Sequence, residues 1–205
     1  MTRSELRERL DGDLAQHFRF HPGRRIGGVW STVARRAANP YFLPVLLVRI
    51  SGFLASRHHR VLARFVSQVT MTLFGLEVAG STAIGPGLYL PHTQGTVIGA
   101  ASIGKNAIIY HNVTLGARLI DVGFDPTSRP VLGDDVLIGS GAKVLGPVTI
   151  GDGCVVGANA VIVRSIAAGM SITADGVERT ATRRRSSKDP LDSIQIASET
   201  PSKDQ

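Results

Sequence analysis

Between Ile84 and Ile162 an aliphatic residue returns at every sixth position, and few folds can use such a beat. It falls at Ile84 and Leu90, slips by one to Val97, and continues at Ile103, Ile109 and Leu115. After a break it resumes at Leu132, Ile138, Val144, Ile150, Val156 and Ile162. Glycine often follows directly, as at Gly104, Gly133 and Gly139, and the fourth position on is small or β-branched, as at Val136, Ala142, Val148, Cys154 and Ala160. A helix repeats near 3.6 residues and an alternating strand repeats at two, so neither produces this pattern. A six-residue period marks a parallel β-helix, in which each repeat supplies one short strand and one turn. Twelve beats make about four coils of three strands.

Other features agree. Aromatic residues are only 5% of the chain, which suits thin aliphatic layers. Cys154 is the only cysteine, so an intrachain disulfide is excluded. It occupies the small-residue slot of a repeat and reads as core filler.

The net charge of +7 belongs to the N-terminal third: residues 1–64 hold twelve arginines against Glu5, Glu8, Asp11 and Asp13. The plain reading is a solvated helical surface. The sharper one is contact with something anionic, a membrane surface or an acidic glycan. Nucleic acid is not expected, because no helix-turn-helix, zinc or aromatic-basic motif accompanies the charge. The first twenty residues are polar and charged, unlike a signal peptide. Tyr41–Ala55 is apolar, but Pro44 and Arg49 interrupt it and it falls short of the ~18–20 residues of a spanning helix. It reads as a packed helix, with an interfacial helix second. The expected location is cytoplasmic, at most peripheral to the inner face of the membrane.

The chain divides into an Arg-rich helical region over 1–76, a β-helix over 77–165, a closing segment over 166–181 and a polar, disordered tail over 182–205. In the first part, 1–28 reads as loose with a short helix at Ser4–Leu10, followed by helices at Val29–Ala38, Leu43–Arg57 and His59–Phe74, the last ended by Gly75. Its apolar residues are Val61, Leu62, Phe65, Val66, Val69 and Leu73. The gap between Leu115 and Leu132 is too long for one turn, so 117–130 leaves the coil as a loop, and long loops in compact repeats are usually functional.

Of six histidines, His17, His21, His58 and His59 show no ligand spacing and read as surface residues. His92 and His111 each follow a beat residue by two positions and are one coil apart. They should stack on one face, one rung apart. With no Cys, Asp or Glu at matching positions they make a poor metal site, and no metal is expected. They suit a general base with a neighbour that binds or orients, or else a hydrogen-bonded structural pair.

Three segments carry a resemblance: Tyr89–Gly99 (YLPHTQGTVIG), Asn112–Gly116 (NVTLG) and Ile138–Gly146 (IGSGAKVLG). With the helices before the coils, they resemble the hexapeptide-repeat acyltransferases. Within these the chain is similar to serine acetyltransferases and equally to exopolysaccharide acetyltransferases of the colanic-acid type. The resemblance implies a left-handed β-helix, a homotrimer with sites between subunits, and acetyl-CoA as co-substrate. It places the general base on His92, with His111 as in the polysaccharide branch. It puts Ser140, Gly141, Ala142 and Lys143, then Ala158, Asn159, Ala160 and Arg164, along the coenzyme path. An acceptor would meet Asp121, Asp125, Ser128 and Arg129 of the loop.

Two departures bear on the acceptor. Serine acetyltransferases carry Asp before the catalytic histidine, where this chain has Pro91. They carry Arg-His-Pro at the loop's end, where it has Ser128-Arg129-Pro130. The closing Gly176-Val177-Glu178-Arg179 also lacks the proline of the family's Gly-x-Pro-Ala ending. The expectation is therefore an O-acetyltransferase acting on a sugar hydroxyl of a polysaccharide or its precursor. The alternatives are a serine O-acetyltransferase and a noncatalytic trimeric scaffold.

Overall fold

The computed structural model describes residues 1–21, 29–37, 39–121, 123–175, 178–180, 182–183 and 194–195. Four helices come first: α1 (Arg3–Phe20), α2 (Val29–Arg36), α3 (Leu43–Ser56) and α4 (Arg60–Phe74). Short strands follow from Leu76 to Ile172 and stack in register as three parallel sheets. Face A holds β1 (Leu76–Val78), β3 (Thr96–Ile98), β6 (Thr114–Gly116), β9 (Lys143–Leu145) and β12 (Val161–Ile162). Face B holds β2 (Ala83–Ile84), β4 (Ser102–Ile103), β7 (Val131–Leu132) and β10 (Thr149–Ile150). Face C holds β5 (Ile108–Ile109), β8 (Leu137–Ile138), β11 (Val155–Val156) and β13 (Met170–Ile172), closed by the antiparallel β14 (Glu178–Thr180). The fold is the expected one: mainly β, a left-handed parallel β-helix behind a small helical region.

The beat residues are its core. Ile84, Ile103, Leu132 and Ile150 stack on face B, and Ile109, Ile138, Val156 and Ile172 on face C, all buried. Burying each such side chain contributes about 1.5–3 kcal/mol. Val136, Ala142, Val148, Cys154 and Ala160 fill the corners between them, also buried. Glycine after the beat has a steric cause. A Cβ on Gly104 would come 2.5 Å from the carbonyl of Gly133 on the next coil, and one on Gly139 would come 2.7 Å from the amide of Ala158.

One beat assignment changes. On face A the inward residue is Ile98, not Val97: Ile98 pairs with Leu115 and is fully buried, while Val97 is half-buried. His92 and His111 share a register, as do Gly95 and Asn112, so Thr93 and Gln94 are a two-residue insertion at that corner. The next corner is one residue short, and the single net slip in the sequence hides both.

The helical region differs more. The segment 1–28 is not loose up to residue 20: α1 runs eighteen residues behind a Thr2–Glu5 capping box. Leu6, Leu10 and Leu14 join Val33, Phe42 and Leu46 in a second core. Gly12 lets α1 touch the coil, since a Cβ there would come 2.7 Å from that of Pro86. Gly75 ends α4 in the left-handed conformation at φ 59°, as expected. The Gly-Pro-rich stretch from 22 to 28, Gly176 and Val177 lie outside the described residues. So does most of the 182–205 tail, apart from the antiparallel pair Thr182–Arg183 and Ile194–Gln195.

Candidate active site at the coil edge

The strands are two or three residues long, so each coil turns sharply where one face gives way to the next. His92 lies on the edge between faces C and A. The two-residue insertion beside it is pinned on both sides. Thr93, itself buried, donates its hydroxyl to the Phe74 carbonyl at the end of α4 at 2.7 Å. The Asn112 amide donates to the Gln94 carbonyl at 2.8 Å. His92 is thus carried on a bulged corner whose backbone is held by a helix end and by the next coil.

His111 stands one coil further on, on the same edge. The two rings meet edge to face, with centroids 5.7 Å apart and an interplanar angle of 80°. Both side chains are exposed. Among the described residues neither ring has a hydrogen-bond partner, so both keep lone pairs or N–H groups for a ligand. The edge continues past them in register. Ser140 and Ala158 follow His111, and Gly95, Asn112, Gly141 and Asn159 line up beside them. These last four share left-handed backbone, at φ 71°, 56°, 74° and 58°. That conformation favours Gly and tolerates Asn, which explains the residue types at this edge. The Gly141 amide donates to the His111 carbonyl at 3.0 Å and the Asn159 amide to Ser140 at 2.8 Å. Lys143 Nζ donates to the Asn112 carbonyl at 2.5 Å.

The eight residues expected on the coenzyme path divide. Ser140, Gly141, Lys143, Ala158 and Asn159 lie on or beside the histidine edge, and Arg164 is exposed past the last face-A strand. Ala142 and Ala160 do not: both side chains point into the core, where the tapering corner has room only for small groups.

The loop residues are placed elsewhere. The 117–130 segment leaves at the far end of β6 and carries a short 3-10 helix, Pro126–Ser128. Arg129 donates to Asp121 through Nε at 2.9 Å and to the Gly99 carbonyl through Nη1 at 2.9 Å, and its guanidinium lies over the Phe124 ring. Asp121 also accepts from the Asp125 amide, and Asp125 from the amide and hydroxyl of Thr127. Ser128 donates to the Asp125 carbonyl. So Asp121, Asp125, Ser128 and Arg129 fold the loop onto itself and onto the end of β3. No contact among the described residues links them to His92. The loop's outer part exposes Leu119 (83%) and Ile120 (96%).

Sequence reasoning missed the aromatic string behind His92. The Tyr41 ring lies 6.4 Å from His92, centroid to centroid, and stacks on His21 at 4.7 Å. The His21 Nε2 and Tyr89 hydroxyl are hydrogen-bonded at 2.8 Å. Burial pushes the Tyr89 phenol up to about 12, with Tyr110 and Tyr41 adding to the shift. His17 follows, 4.9 Å from His21. It is no surface residue: it is 1% exposed and both ring nitrogens lack partners. No repeat or spacing marks these residues, because His17, His21 and Tyr41 come from the helical region and not from the coils. Among the described residues no group of three or more His, Cys, Asp or Glu is placed to hold a metal ion.

Comparison with known proteins gives this edge its family. Residues 129–164 match the bacterial transferase hexapeptide (six repeats) model. The chain is 40% identical over 119 residues to the serine acetyltransferase of Mycobacterium tuberculosis, covering 58% of this chain and 51% of that protein. It is 38% identical over 126 residues to the serine acetyltransferase of Helicobacter pylori strain 26695, covering 61% and 72%. It thus spans about half the length of the first relative. Soybean serine acetyltransferase superposes with a TM-score of 0.70 at 28% identity, over 83% of this chain and 66% of that one. The Neisseria gonorrhoeae enzyme superposes at 0.68 and 24% identity, over 83% and 64%, a likeness of fold. By its repeat, its coil architecture and the extent of the Helicobacter pylori match, the chain belongs to the serine acetyltransferase family of hexapeptide-repeat proteins.

Proposed function

We propose that the protein is an acetyl-CoA-dependent O-acetyltransferase with His92 as its general base. The observation that carries this is the His92–His111 pair, stacked at 5.7 Å on an open edge, in a member of a family named for acetyl transfer. The names of the relatives favour L-serine as acceptor over the sugar hydroxyl that Pro91 and Arg129 first suggest.

His92 takes the proton of the acceptor hydroxyl as its oxygen attacks the thioester carbonyl. Imidazole suits that role because it is the side chain that most readily takes up and returns a proton near neutral pH. The bond from carbon to sulfur then breaks, and the imidazolium returns its proton to the departing thiolate. His111 lies within reach to orient the acceptor or the first ring. The open edge formed by Ser140, Gly141, Ala158 and Asn159 gives the pantetheine arm backbone to run along, because small side chains leave it accessible.

The site as proposed needs a second copy. Both histidines are exposed, and the loop is rooted at the other end of face A. In a trimer of β-helices, a neighbour's loop would cover the histidine edge. The exposed Leu119 and Ile120 are the apolar contacts such an arrangement would bury.

A second reading keeps the sugar hydroxyl as acceptor. It is favoured by Pro91, which leaves no carboxylate beside His92 to receive an amino acid's ammonium group. Thiol release from acetyl-CoA, measured with L-serine and with a panel of sugars and nucleotide sugars, separates the two. Turnover with serine supports the first reading. Turnover with sugars alone supports the second. No turnover with any hydroxyl, in a protein shown to be folded, overturns acetyl transfer.

A further inference from the structure

Among the described residues nothing is hydrogen-bonded to the His92 ring, and its chain neighbour Pro91 carries no carboxylate. An exposed imidazole so placed is free to turn about two side-chain torsions. A working base has to be held within about 0.5 Å and 10–20° of its productive geometry, by neighbours that are themselves fixed. His111 is as exposed and unpartnered as His92, so it does not supply that hold alone.

The other ring against His92 is fixed. Tyr41 meets the imidazole edge to face, with centroids 6.4 Å apart and planes at 67°. Its backbone is set by the turn ahead of α3. There the Tyr41 amide donates to Asn39 Oδ1 at 2.9 Å, the Phe42 amide donates to the Asn39 carbonyl at 3.0 Å, and Phe42 is sunk in the helical core. The Tyr41 ring is set by His21, stacked on it at 4.7 Å with the planes 24° apart. His21 Nε2 and the Tyr89 hydroxyl are hydrogen-bonded at 2.8 Å, and the buried Tyr89 stacks on Phe20 at 4.4 Å. Tyr89 belongs to the coil, three residues before His92, and its backbone bridges to Ile108 on the next coil. The contacts therefore close a circuit, from Tyr89 through His21 and Tyr41 to His92 and back along the chain. Among the described residues the Tyr41 hydroxyl has no hydrogen-bond partner, so the ring alone makes these contacts.

Taking His92 as the general base, we propose that Tyr41 is its positioning residue, fixing the imidazole in the rotamer from which it takes the acceptor's proton. Tyr41 acts through the imidazole and needs no contact with acceptor or coenzyme. An edge-to-face pair shifts a conformational equilibrium about two- to twelvefold, so without it the working rotamer is populated less by that factor. Such a loss lowers kcat and leaves ground-state binding of both substrates alone.

Steady-state thiol release and NMR of the full chain, labelled with carbon-13 at histidine Cε1, test this together. Tyr41→Leu keeps apolar bulk against His21 but no ring. It should lower kcat about three- to tenfold, with the KM values for acceptor and acetyl-CoA within about twofold of the parent. Tyr41→Phe puts the ring back and should restore kcat to within about twofold of the parent. The His92 signal, identified by its absence from His92→Ala, should move in Tyr41→Leu and hold its place in Tyr41→Phe. An unmoved His92 signal in Tyr41→Leu overturns the proposal, whichever acceptor the enzyme uses. Parental kcat in Tyr41→Leu beside an inactive His92→Ala also overturns it and leaves the general base standing. A raised acceptor KM with kcat unchanged overturns it too, because Tyr41 would then be a wall of the acceptor site. A parental rate in His92→Ala is the separate result that removes the base, and Tyr41's role with it.

Discussion

Arg49 grips both carboxylate oxygens of Asp13, Nε to Oδ2 at 2.8 Å and Nη2 to Oδ1 at 2.9 Å. Both side chains are buried at the join between helices and coil. Two further Arg49 N–H groups reach the Ile84 carbonyl at 2.8 Å and the Gly85 carbonyl at 2.6 Å. Asp13 Oδ1 accepts from the Gly87 and Leu88 amides, each at 2.9 Å. The pair therefore satisfies the open backbone of the first coil, which has no preceding coil to bond. Burial raises the Asp13 carboxyl, while Arg49 and the two amides pull it down. Arg49→Met should cost about 3–5 kcal/mol, because it strands a buried carboxylate and two carbonyls. Asp13→Leu in the same chain should recover only part of that, since four backbone groups stay unpaired. Urea midpoints of the parent and the two variants measure this. Equal losses in Arg49→Met and the double variant would show that the two residues do not act together.

Loss of the His92 imidazole should lower kcat by about 10²–10⁴ with little change in KM, the signature of a missing proton acceptor. His92→Ala in steady-state thiol release tests it. His111→Gln keeps the shape and a hydrogen-bonding amide but not the imidazole. It should lower kcat by about tenfold and raise the acceptor KM, the pattern of a binding and orienting neighbour. A His92→Ala enzyme at the parental rate would remove the base from the mechanism.

How much of this was readable in advance depends on how local the signal is. Ile103, Ile138 and Val156 announce their coils because a steric beat repeats in sequence order. His92 and His111 were found for the same reason, since one coil of sequence separates residues one rung apart in space. Ile98 was misread as Val97 because an insertion at Thr93–Gln94 and a deletion at the next corner nearly cancel. The helical region had no repeat to read. His17 looks like one more polar residue of a charged segment, and only Phe42 and the length of α1 place it in a core. Tyr41 and Tyr89 approach the site through tertiary packing that no spacing encodes. Asp121 and Arg129 were identified as polar loop residues, but their mutual engagement depends on the loop's three-dimensional path.

The Asp121–Arg129 pair should set the order of the loop. Both side chains are largely buried, and Arg129 ties the loop to face A through the Gly99 carbonyl, while Arg118 ties its start to the Val163 carbonyl. Arg129→Ala removes that tether and leaves Asp121 with only amides and a serine hydroxyl. Limited proteolysis between residues 117 and 130 should then accelerate on the order of tenfold, through local opening rather than global unfolding. An unchanged cleavage rate would mean that the Asp125–Thr127 turn holds the loop by itself.

At Gly104 the glycine after the beat is a packing requirement that a single methyl tests. Gly104→Ala places a Cβ about where the Gly133 carbonyl already lies, 2.5 Å away. That neighbour is backbone inside a parallel ladder, so it cannot turn aside as a side chain would. The variant should lose about 1–3 kcal/mol through a forced coil shift. Gly116→Ala, with nothing within 4 Å of its added methyl, serves as the control and should fall within about 0.5 kcal/mol of the parent.

His17 makes the fold acid-sensitive. Its ring nitrogens are buried without partners, and it faces His21, Phe18, Phe42 and the Arg36 guanidinium. Burial chiefly, with the positive charge of His21 and Arg36, lowers its pKa from 6.5 to about 4. Between those two values the unfolded chain binds a proton that the folded chain refuses. Stability therefore rises with pH across that window and is lost as pH falls from about 6.5 toward 4. The loss from this group should be about 1–3 kcal/mol. His17→Phe fills the same apolar niche with nothing to protonate. Its urea midpoint should vary less with pH than the parent's over this interval, leaving only the carboxylate contribution. Parallel pH curves for the two proteins would show that His17 is protonated as readily folded as unfolded.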